Sequence, residues 1–211
     1  MKKYLITGGA GFVGSHLADS LVTEGIEVVI LDNLYLGCLG NIQHLLDRNQ
    51  VRFIEEDLLN FDKVRSLMIE ERFDRVYHLA ANSDISQGIK RTDLDLNLNL
   101  QTTRSVLEGM KVSKTQELMF ASTSAIYGET DREIVEDMGP LFPVSFYGAS
   151  KLAAEAYISV YAKNFGMKVW ITRFPNVVGE RATHGAVFDF VNKLEANPRK
   201  LEVLGDGCQC K

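Results

Sequence analysis

The chain has 211 residues, of which 45% are apolar and 24% are charged, and its formal net charge is -5. A chain of this length can bury one substantial core, but its acidic balance offers no cationic surface for nucleic acid or an anionic membrane. We therefore expect neither partner, and no apolar run approaches the ~20 residues that a bilayer crossing needs. The N-terminal stretch MKKYLITGGAG reaches glycine too soon for a secretory signal, so a cytoplasmic location is expected.

Short apolar segments rich in branched residues alternate with longer amphipathic segments along the chain. This alternation predicts an α/β fold, a doubly wound parallel sheet with helices on both faces. The segments expected to form strands are, in chain order, KYLIT, EVVILD, VRFIEED, DRVYHLAA, ELMFASTS, KVWITRF and LEVL. Residues 129–145 hold two of the four prolines and an acidic patch, which is typical of a surface loop.

The first predicted strand runs directly into TGGAGFVGSHLADSLVTEG, where Gly8, Gly11 and Gly14 are three residues apart. Such a turn lets the backbone approach a pyrophosphate, with free N–H groups and the positive end of a helix facing the anion. Asp32 closes the second strand, where a carboxylate can accept hydrogen bonds from a ribose diol and would repel a 2′-phosphate. The pattern predicts an NAD site. Its structural alternative is a turn with a helix-capping aspartate.

The next two strand ends carry an acidic residue and small residues. Asp57 follows the third strand, and Ala80 and Ala81 follow the fourth, at the edge where parallel sheets bind ligands. Asp57 is equally suited to cap the next helix. The alanines allow either the close approach of a cofactor or tight packing of the core.

The segment DLDLNLNL, residues 93–100, alternates apolar and polar residues strictly, a period that is typical of a strand. The following segment QTTRSVLEGMK has helical character, and a parallel sheet needs a crossover helix at this place. We therefore predict a helix throughout.

Tyr147 and Lys151 are four apart in the segment FYGASK, at the start of a strongly helical stretch, so they share a helix face. A nearby ammonium lowers the pKa of a phenol from its reference value of ~10, so this pair can transfer protons. The fifth predicted strand ends in Ser122, Thr123 and Ser124. One hydroxyl of this cluster can orient a substrate oxygen, although such clusters also satisfy loop backbone groups, and chemistry alone does not choose among the three.

The motifs TGGAGFVGSHL, LDN, HLAA, STSAIYG, YGASK and RFPNVVGER follow one another in a familiar order and spacing. In this the chain resembles the extended short-chain dehydrogenase/reductases, in particular the NAD-dependent nucleotide-sugar epimerases and dehydratases. Within that family it is most similar to the UDP-glucose 4-epimerases. The resemblance implies a Rossmann domain, NAD as cofactor and a nucleotide sugar, most of all a UDP-sugar, as substrate.

The resemblance also implies a role for each residue that matches a family motif. Tyr147 would be the catalytic base, Thr123 the hydroxyl that holds the substrate oxygen, and Lys151 the group that binds the nicotinamide ribose and lowers the tyrosine pKa. The implied cofactor-binding residues are Gly8, Gly11, Phe12, Val13, Gly14, Asp32, Asn33, Asp57, Leu58, Leu79, Ala80, Ala81, Asn99, Tyr147, Lys151 and Phe174. The implied substrate-binding residues are Ser83, Thr123, Asn176 and Lys211.

The implied reaction is the interconversion of UDP-glucose and UDP-galactose by transient oxidation at C4. Sugar-nucleotide dehydratases of the family carry Asp-Glu directly after the threonine, whereas this chain has Ser124 and Ala125, so dehydration is disfavoured. One alternative is another enzyme of the same family, such as a uronate epimerase, a decarboxylase or a reductase. A further alternative is a truncated, catalytically silent NAD-binding module.

The final stretch LGDGCQCK holds Cys208 and Cys210, an incomplete ligand set, so no metal site is predicted. In the family this stretch belongs to the substrate domain. We expect residues 1–175 to form the NAD-binding domain and residues 176–211 to form part of a substrate domain whose C-terminal part is missing. Homodimers are usual in the family, so we expect a homodimer that packs through the long helices near residues 93–110 and 147–165.

Overall fold

The computed structural model describes residues 1–203. The chain divides into two compact units, Met1–Phe174 and Pro175–Lys211. The first unit contains the sheet.

The described residues form six strands and seven α-helices. The strands are β1 Lys3–Thr7, β2 Glu27–Asp32, β3 Val51–Glu55, β4 Arg75–His78, β5 Glu117–Thr123 and β6 Lys168–Phe174. The helices are α1 Phe12–Thr23, α2 Gln43–Asp47, α3 Phe61–Glu71, α4 Ile85–Lys90, α5 Thr102–Ser113, α6 Phe146–Phe165 and α7 Ala186–Ala196. The longest helix, α6, begins after Ser145, whose hydroxyl accepts the Gly148 N–H, and ends at Gly166 in the left-handed conformation.

All six strands are parallel and lie in the order β3-β2-β1-β4-β5-β6. The predicted doubly wound sheet is thereby confirmed. The direction in which strands are added reverses between β1 and β4, and the crevice at the carboxyl ends of these strands is where such sheets bind ligands. At the far edge of the sheet, Thr123 of β5 pairs with Phe174 of β6.

The sheet separates two hydrophobic cores. Leu5 of β1 faces one core, whereas Tyr4 and Ile6 face the other. The first core is completed by residues of α3, α5 and α6, and the second by residues of α1 and α2. Because the central strands are buried on both faces, they appear in the sequence as continuous apolar runs.

The segment DLDLNLNL is helical, as predicted. Leu96–Gln101 form a π-helical turn that continues directly into α5. The polar residues Asp95 and Asn99 are buried, whereas Leu96 is 48% exposed. The alternation therefore does not separate a buried face from a solvent face, because the buried polar groups bond to one another.

Two further expectations concern segments outside the sheet. Residues 129–145 form an irregular and mostly exposed loop, as predicted. The predicted strand LEVL is wrong for its described residues 201–203, which belong to no strand. The Glu202 carbonyl accepts a hydrogen bond from Lys193 Nζ at 2.9 Å instead of one from a strand ladder.

Among the helices within residues 1–203, none combines the length and the apolar character that a membrane span requires.

The second unit is described up to Val203. It contains α7, which begins after Gly185, a residue with a φ of 107°, and none of the residues of α7 is buried. The histidine before this helix, His184, is exposed and lies 3.2 Å from the Thr183 hydroxyl through its Nδ1.

Candidate active site and cofactor cleft

The turn between β1 and α1 depends on the absence of side chains. Gly8 has a φ of 71°, and a Cβ there would lie 2.6 Å from the Ala80 nitrogen. A Cβ on Gly14 would lie 2.7 Å from the Gly9 Cα. Gly11 precedes α1, and no side chain caps the helix there. The first N–H groups of α1, which include those of Phe12 and Val13, therefore meet no capping oxygen and form a ready site for an anion.

The structure brings Asp32 to this glycine turn. Its side chain is 7% exposed, with Oδ2 accepting the Ala10 N–H at 3.0 Å and Oδ1 accepting the Leu34 N–H at 2.8 Å. Burial raises the pKa of Asp32, and the two backbone donors oppose this rise. The two bonds fix the orientation of the carboxylate at the end of β2.

Asn33 and Asp57 also come together at this edge of the sheet. The Asn33 amide donates to Asp57 Oδ2 at 3.2 Å. The α3 cap is Asn60 and not Asp57, whose Oδ1 accepts the Leu59 N–H at 2.8 Å. The Leu58 side chain is buried in the core and leaves only its backbone for a ligand.

The segment after β4 forms the other wall of the crevice. Leu79, Ala80 and Ala81 are half-buried, and the Leu79 N–H donates to the Thr7 carbonyl at 3.1 Å. Ser83 is half-buried in the same segment.

Tyr147 meets Thr123 at the carboxyl end of β5. Thr123 is 8% exposed, and its Oγ1 accepts the Ala125 N–H at 3.1 Å. Burial raises the pKa of Tyr147, a hydrogen bond with Thr123 lowers it, and the negative charge of Asp95 raises it. The net change in the tyrosine pKa is upward, opposite to the lowering expected from Lys151. The physical reason is that burial outweighs the effect of the hydrogen bond.

Lys151 is buried beneath the site at 2% exposure. Its Nζ donates to the Ala121 carbonyl at 2.8 Å and lies 4.7 Å from the centre of the Phe120 ring. Burial lowers the pKa of Lys151 to about 7, and the charges of Asp95 and Glu155 oppose this lowering. The two carboxylates therefore keep the ammonium form populated near neutral pH.

The hydroxyls of β5 point to two different groups. Ser122 donates to Glu155, whereas Thr123 is the hydroxyl that Tyr147 contacts. Glu155 is held by both arms of Arg173, with Nε 3.2 Å from Oε1 and Nη2 2.8 Å from Oε2. The hydroxyl cluster is therefore divided between the Glu155–Arg173 ion pair and the tyrosine.

A buried polar network lies behind Tyr147. Asp95 Oδ1 accepts the Asn82 amide at 2.8 Å and the Asn99 amide at 3.1 Å. The Asn99 amide also donates to the Ser150 hydroxyl at 2.9 Å, and Ser150 donates to the Tyr147 carbonyl at 2.8 Å. Asn99 Oδ1 accepts the Asn82 N–H at 2.8 Å. The network ties the segment after β4 to the first turns of α6.

His78 is fully buried at the end of β4. Its Nδ1 lies 2.7 Å from the Thr7 hydroxyl and its Nε2 lies 3.0 Å from the Thr103 hydroxyl. Burial lowers the pKa of His78 to about 3, and the charge of Lys151 acts in the same direction. The imidazole is therefore neutral at physiological pH.

Comparison with known families identifies the chain. The NAD dependent epimerase/dehydratase family matches residues 4–210. The chain belongs to this family. The expected extended short-chain dehydrogenase/reductase of the epimerase group is thereby confirmed, and NAD is the cofactor of the family.

Individual members of the epimerase/dehydratase family resemble the chain over nearly all of its length. The uncharacterized UDP-glucose epimerase YtcB of Bacillus subtilis is 34% identical over 216 residues, covering 99% of this chain and 67% of that protein. The Thermus thermophilus UDP-glucose 4-epimerase, solved with NAD, is 36% identical with a TM-score of 0.84, covering 95% of this chain and 64% of the other. The Bacillus cereus UDP-glucuronic acid 4-epimerase, solved with UDP-glucuronic acid and NAD, is 34% identical with a TM-score of 0.86. The match covers 98% of this chain and 67% of the other. The chain thus spans 64 to 67% of the length of these relatives.

The cleft of this epimerase/dehydratase chain fits NAD. The uncapped first turn of α1 suits a pyrophosphate, and the glycine turn leaves its approach free of side chains. The Asp32 carboxylate keeps lone pairs for a ribose diol and would repel a 2′-phosphate.

Three further residues predicted for the site are Phe174, Asn176 and Lys211. Phe174 ends β6 and is half-buried. Asn176 belongs to the second unit, where it is exposed. Lys211 lies outside the described residues, as do Cys208 and Cys210.

Several residues that hold this site in place were not found from the sequence; they are Asn82, Asp95, Ser150, Glu155 and Arg173. Glu155 follows Lys151 by four residues, which continues the Tyr147–Lys151 spacing and was a usable signal. The spacing of Asp95 and Asn99 was a second signal, since residues four apart share a helix face. Arg173 and Asn82 reach their partners across large sequence separations that no local pattern reveals.

Proposed function

We propose that this chain is the NAD-binding and catalytic part of a UDP-sugar 4-epimerase with UDP-glucose and UDP-galactose as its substrate pair. The observation that carries the proposal is the meeting of Tyr147 with Thr123 at the carboxyl end of β5, above the buried Lys151. The family match and the UDP-sugar relatives support the substrate class.

Three side chains take part in the proposed reaction. Tyr147 removes the proton from the C4 hydroxyl, and the Thr123 hydroxyl holds the C4 oxygen in place. Lys151, in its ammonium form, binds a ribose hydroxyl and favours the phenolate. The bound cofactor supplies the acceptor for the hydride that leaves C4 and later returns. Once the 4-keto sugar has turned over in the pocket, Tyr147 gives its proton back to the C4 oxygen, so no net oxidation occurs.

The residues proposed to hold NAD follow the crevice between β1 and β4. The glycine turn and the first N–H groups of α1 bind the pyrophosphate, and Asp32 binds the adenosine ribose. Asn33 and Asp57, which already contact each other, border the adenine with the backbone of Leu58. The remaining proposed contacts are Leu79, Ala80, Ala81, Asn99, Tyr147, Lys151 and Phe174. The residues proposed for the sugar nucleotide are Ser83, Thr123, Asn176 and Lys211.

The residues after Thr123 support epimerisation over dehydration. Ser124 and Ala125 offer no carboxyl group to eliminate water from the sugar. A uronate 4-epimerase is the second candidate, because the Bacillus cereus UDP-glucuronic acid 4-epimerase is as similar in fold as the glucose enzyme.

The test is to incubate the purified chain with NAD and, separately, UDP-galactose, UDP-glucose and UDP-glucuronic acid. We expect conversion between the glucose and galactose forms, detected by chromatography of the released sugars, and conversion about 10²–10⁴-fold slower with Tyr147→Phe. Conversion of the glucuronate alone would favour the second candidate. Bound NAD without conversion of any sugar would support a silent NAD-binding module.

We also propose that the protein acts in the cytoplasm as a homodimer that packs through α5 and α6. Tyr157 and Val160 of α6 are 47% and 57% exposed, which leaves apolar surface for a second copy. A mass measurement over a dilution series should show a dimer, and Val160→Glu should shift it towards monomer.

A further inference from the structure

Asp95 is a buried carboxylate without a step in the proposed reaction. It is 1% exposed, and its Oδ1 accepts the amides of Asn82 and Asn99. Its Oδ2 has no hydrogen-bond partner among the described residues. No Lys or Arg within residues 1–203 forms an ion pair with it. A buried carboxylate with an unsatisfied oxygen is costly, so its presence at this site needs a reason.

The position of Asp95 links it to the helix that holds the proposed catalytic pair. The Asn99 amide bridges Asp95 and Ser150, and the Ser150 hydroxyl bonds to the Tyr147 carbonyl. Ser150 directly precedes Lys151 in α6. These hydrogen bonds tie Asp95 to the backbone carbonyl of Tyr147, and its charge raises the pKa of both Tyr147 and Lys151.

Glu155, His78 and Asp95 interact electrostatically with Lys151, and Tyr147 lies four residues earlier in the same helix. Glu155 also forms a two-armed contact with Arg173, so that cation shares its charge. His78 is neutral because burial lowers its pKa to about 3. Among the described residues, Asp95 is therefore the carboxylate near Lys151 whose charge no cation pairs with directly.

We propose that Asp95 is a positioning residue of the epimerase site, which keeps Lys151 in its ammonium form and holds the Asn82–Asn99 bridge against α6. The inference rests on the proposed function, because that function requires a charged lysine in a site closed to water. A buried amine without a facing carboxylate loses its proton at lower pH.

Gly88 of α4 lies against the same carboxylate and allows an independent test of it. A Cβ at Gly88 would overlap Asp95 Oδ2, whereas its other neighbour, Phe146 Cβ, lies 3.7 Å away. The helical backbone at Gly88 accepts alanine, so Gly88→Ala moves the carboxylate without removing it.

The experiment measures the protonation of Lys151 in the chain itself. Lysine labelled with carbon-13 is incorporated, the Lys151 signal is assigned by its loss in Lys151→Met, and the signal is followed by NMR as pH is raised. We expect Asp95→Asn to lower the Lys151 midpoint by about one pH unit. Asp93→Asn, an exposed aspartate two residues earlier, should leave the midpoint unchanged.

An unchanged Lys151 midpoint in a folded Asp95→Asn chain would overturn the proposal. If that variant does not fold, Gly88→Ala decides, with a shifted midpoint in either direction supporting the proposal and an unchanged one refuting it. In the epimerase assay the alkaline limb of the pH profile should shift to lower pH together with the Lys151 midpoint. A merely structural role would lower the rate without shifting the pH of the limb. Because the NMR titration needs no sugar turnover, it fails or succeeds independently of the proposed function.

Discussion

The glycine turn and the Tyr147 site occupy the same edge of one sheet but are built in different ways. The turn consists of consecutive residues, and its key atoms belong to the backbone. The Tyr147 site is assembled from the segment after β4, the π-helical turn, β5 and α6, and its key atoms are side-chain atoms. The first region depends on the space that missing side chains leave, and the second depends on buried charges and hydrogen bonds.

This difference predicts how each region fails. A methyl group should disrupt the glycine turn and leave its electrostatics unchanged. The loss of one partner should disrupt the Tyr147 site, because a buried group without a partner is costly. Protonation of buried side chains should act mainly on the second region, because the glycines of the first carry no ionisable group.

The largest expected effect is a fall in the rate of sugar turnover at the Tyr147 site. Tyr147→Phe should lower sugar turnover by about 10²–10⁴-fold, because the variant loses its general base. NAD binding, measured by fluorescence titration, should persist because the glycine turn is intact. The matched control is Tyr157→Phe, which removes a half-exposed phenol from the same helix. Turnover by Tyr147→Phe at a near-normal rate would refute the assignment.

The next largest effect concerns the ion pair beneath the same site. Arg173→Met leaves Glu155, which is 8% exposed, without its cation. The free energy of unfolding should fall by about 3 kcal/mol, at the lower end for a buried pair because Arg173 is 24% exposed.

Urea denaturation measures this loss. Lys63→Met is the control, since it breaks a pair with Glu56 whose lysine is 67% exposed, and it should cost less than about 1 kcal/mol. Equal losses in the two variants would show that burial does not set the strength of the Glu155 pair.

The same contrast explains what the sequence predicts. The glycine turn, Asp32 and the six strands follow from local patterns, because neighbouring residues determine them. The Tyr147–Lys151 pair is likewise local. The Arg173–Glu155 pair and the bond from Asn99 to Ser150 join residues from different elements, so only the fold reveals them. The upward pKa of Tyr147 was missed for a related reason, since the extent of its burial is a property of the fold.

The strand predicted at LEVL is an error of the opposite kind, because the sequence predicted an element that the described residues 201–203 do not form. Its local pattern is that of a strand, but a strand also needs a neighbour that supplies ladder hydrogen bonds. In the described residues the Glu202 carbonyl bonds to a lysine side chain. Local propensity therefore predicts strands well only where the sheet provides a partner.

A smaller effect is expected in the backbone region. Gly14→Ala should lower the free energy of unfolding by about 1–3 kcal/mol, because its Cβ would press on the Gly9 Cα at 2.7 Å. NAD affinity should fall with it, as the turn must shift.

The control is Gly40→Ala, where the Cβ would meet Cys38 Sγ at an ordinary 3.5 Å and stability should change by less than about 0.5 kcal/mol. Calorimetry of both variants, with and without NAD, measures the two effects. A tolerated Gly14→Ala would show that the turn is less constrained than its geometry indicates.

The last effect is the pH dependence that His78 gives to the side-chain region. The pKa of its imidazole is about 3 in the folded chain and ~6.5 in an unfolded one. Between these values the unfolded chain binds a proton that the folded chain does not. Unfolding free energy should therefore fall as pH is lowered through this window, by up to about 1.4 kcal/mol per pH unit, and His78 should contribute no slope above it.

The contribution of His78 is measured as a difference in slope, because carboxylates also titrate at low pH. Denaturation at several pH values between about 6 and 4 should show a shallower slope for His78→Gln than for the unmodified chain, by about 1 kcal/mol per unit. His184→Gln, which removes an exposed histidine of the second unit, should keep the original slope. If His78→Gln kept it too, the buried imidazole would not be a source of acid sensitivity, and pH would no longer distinguish the side-chain region from the glycine turn.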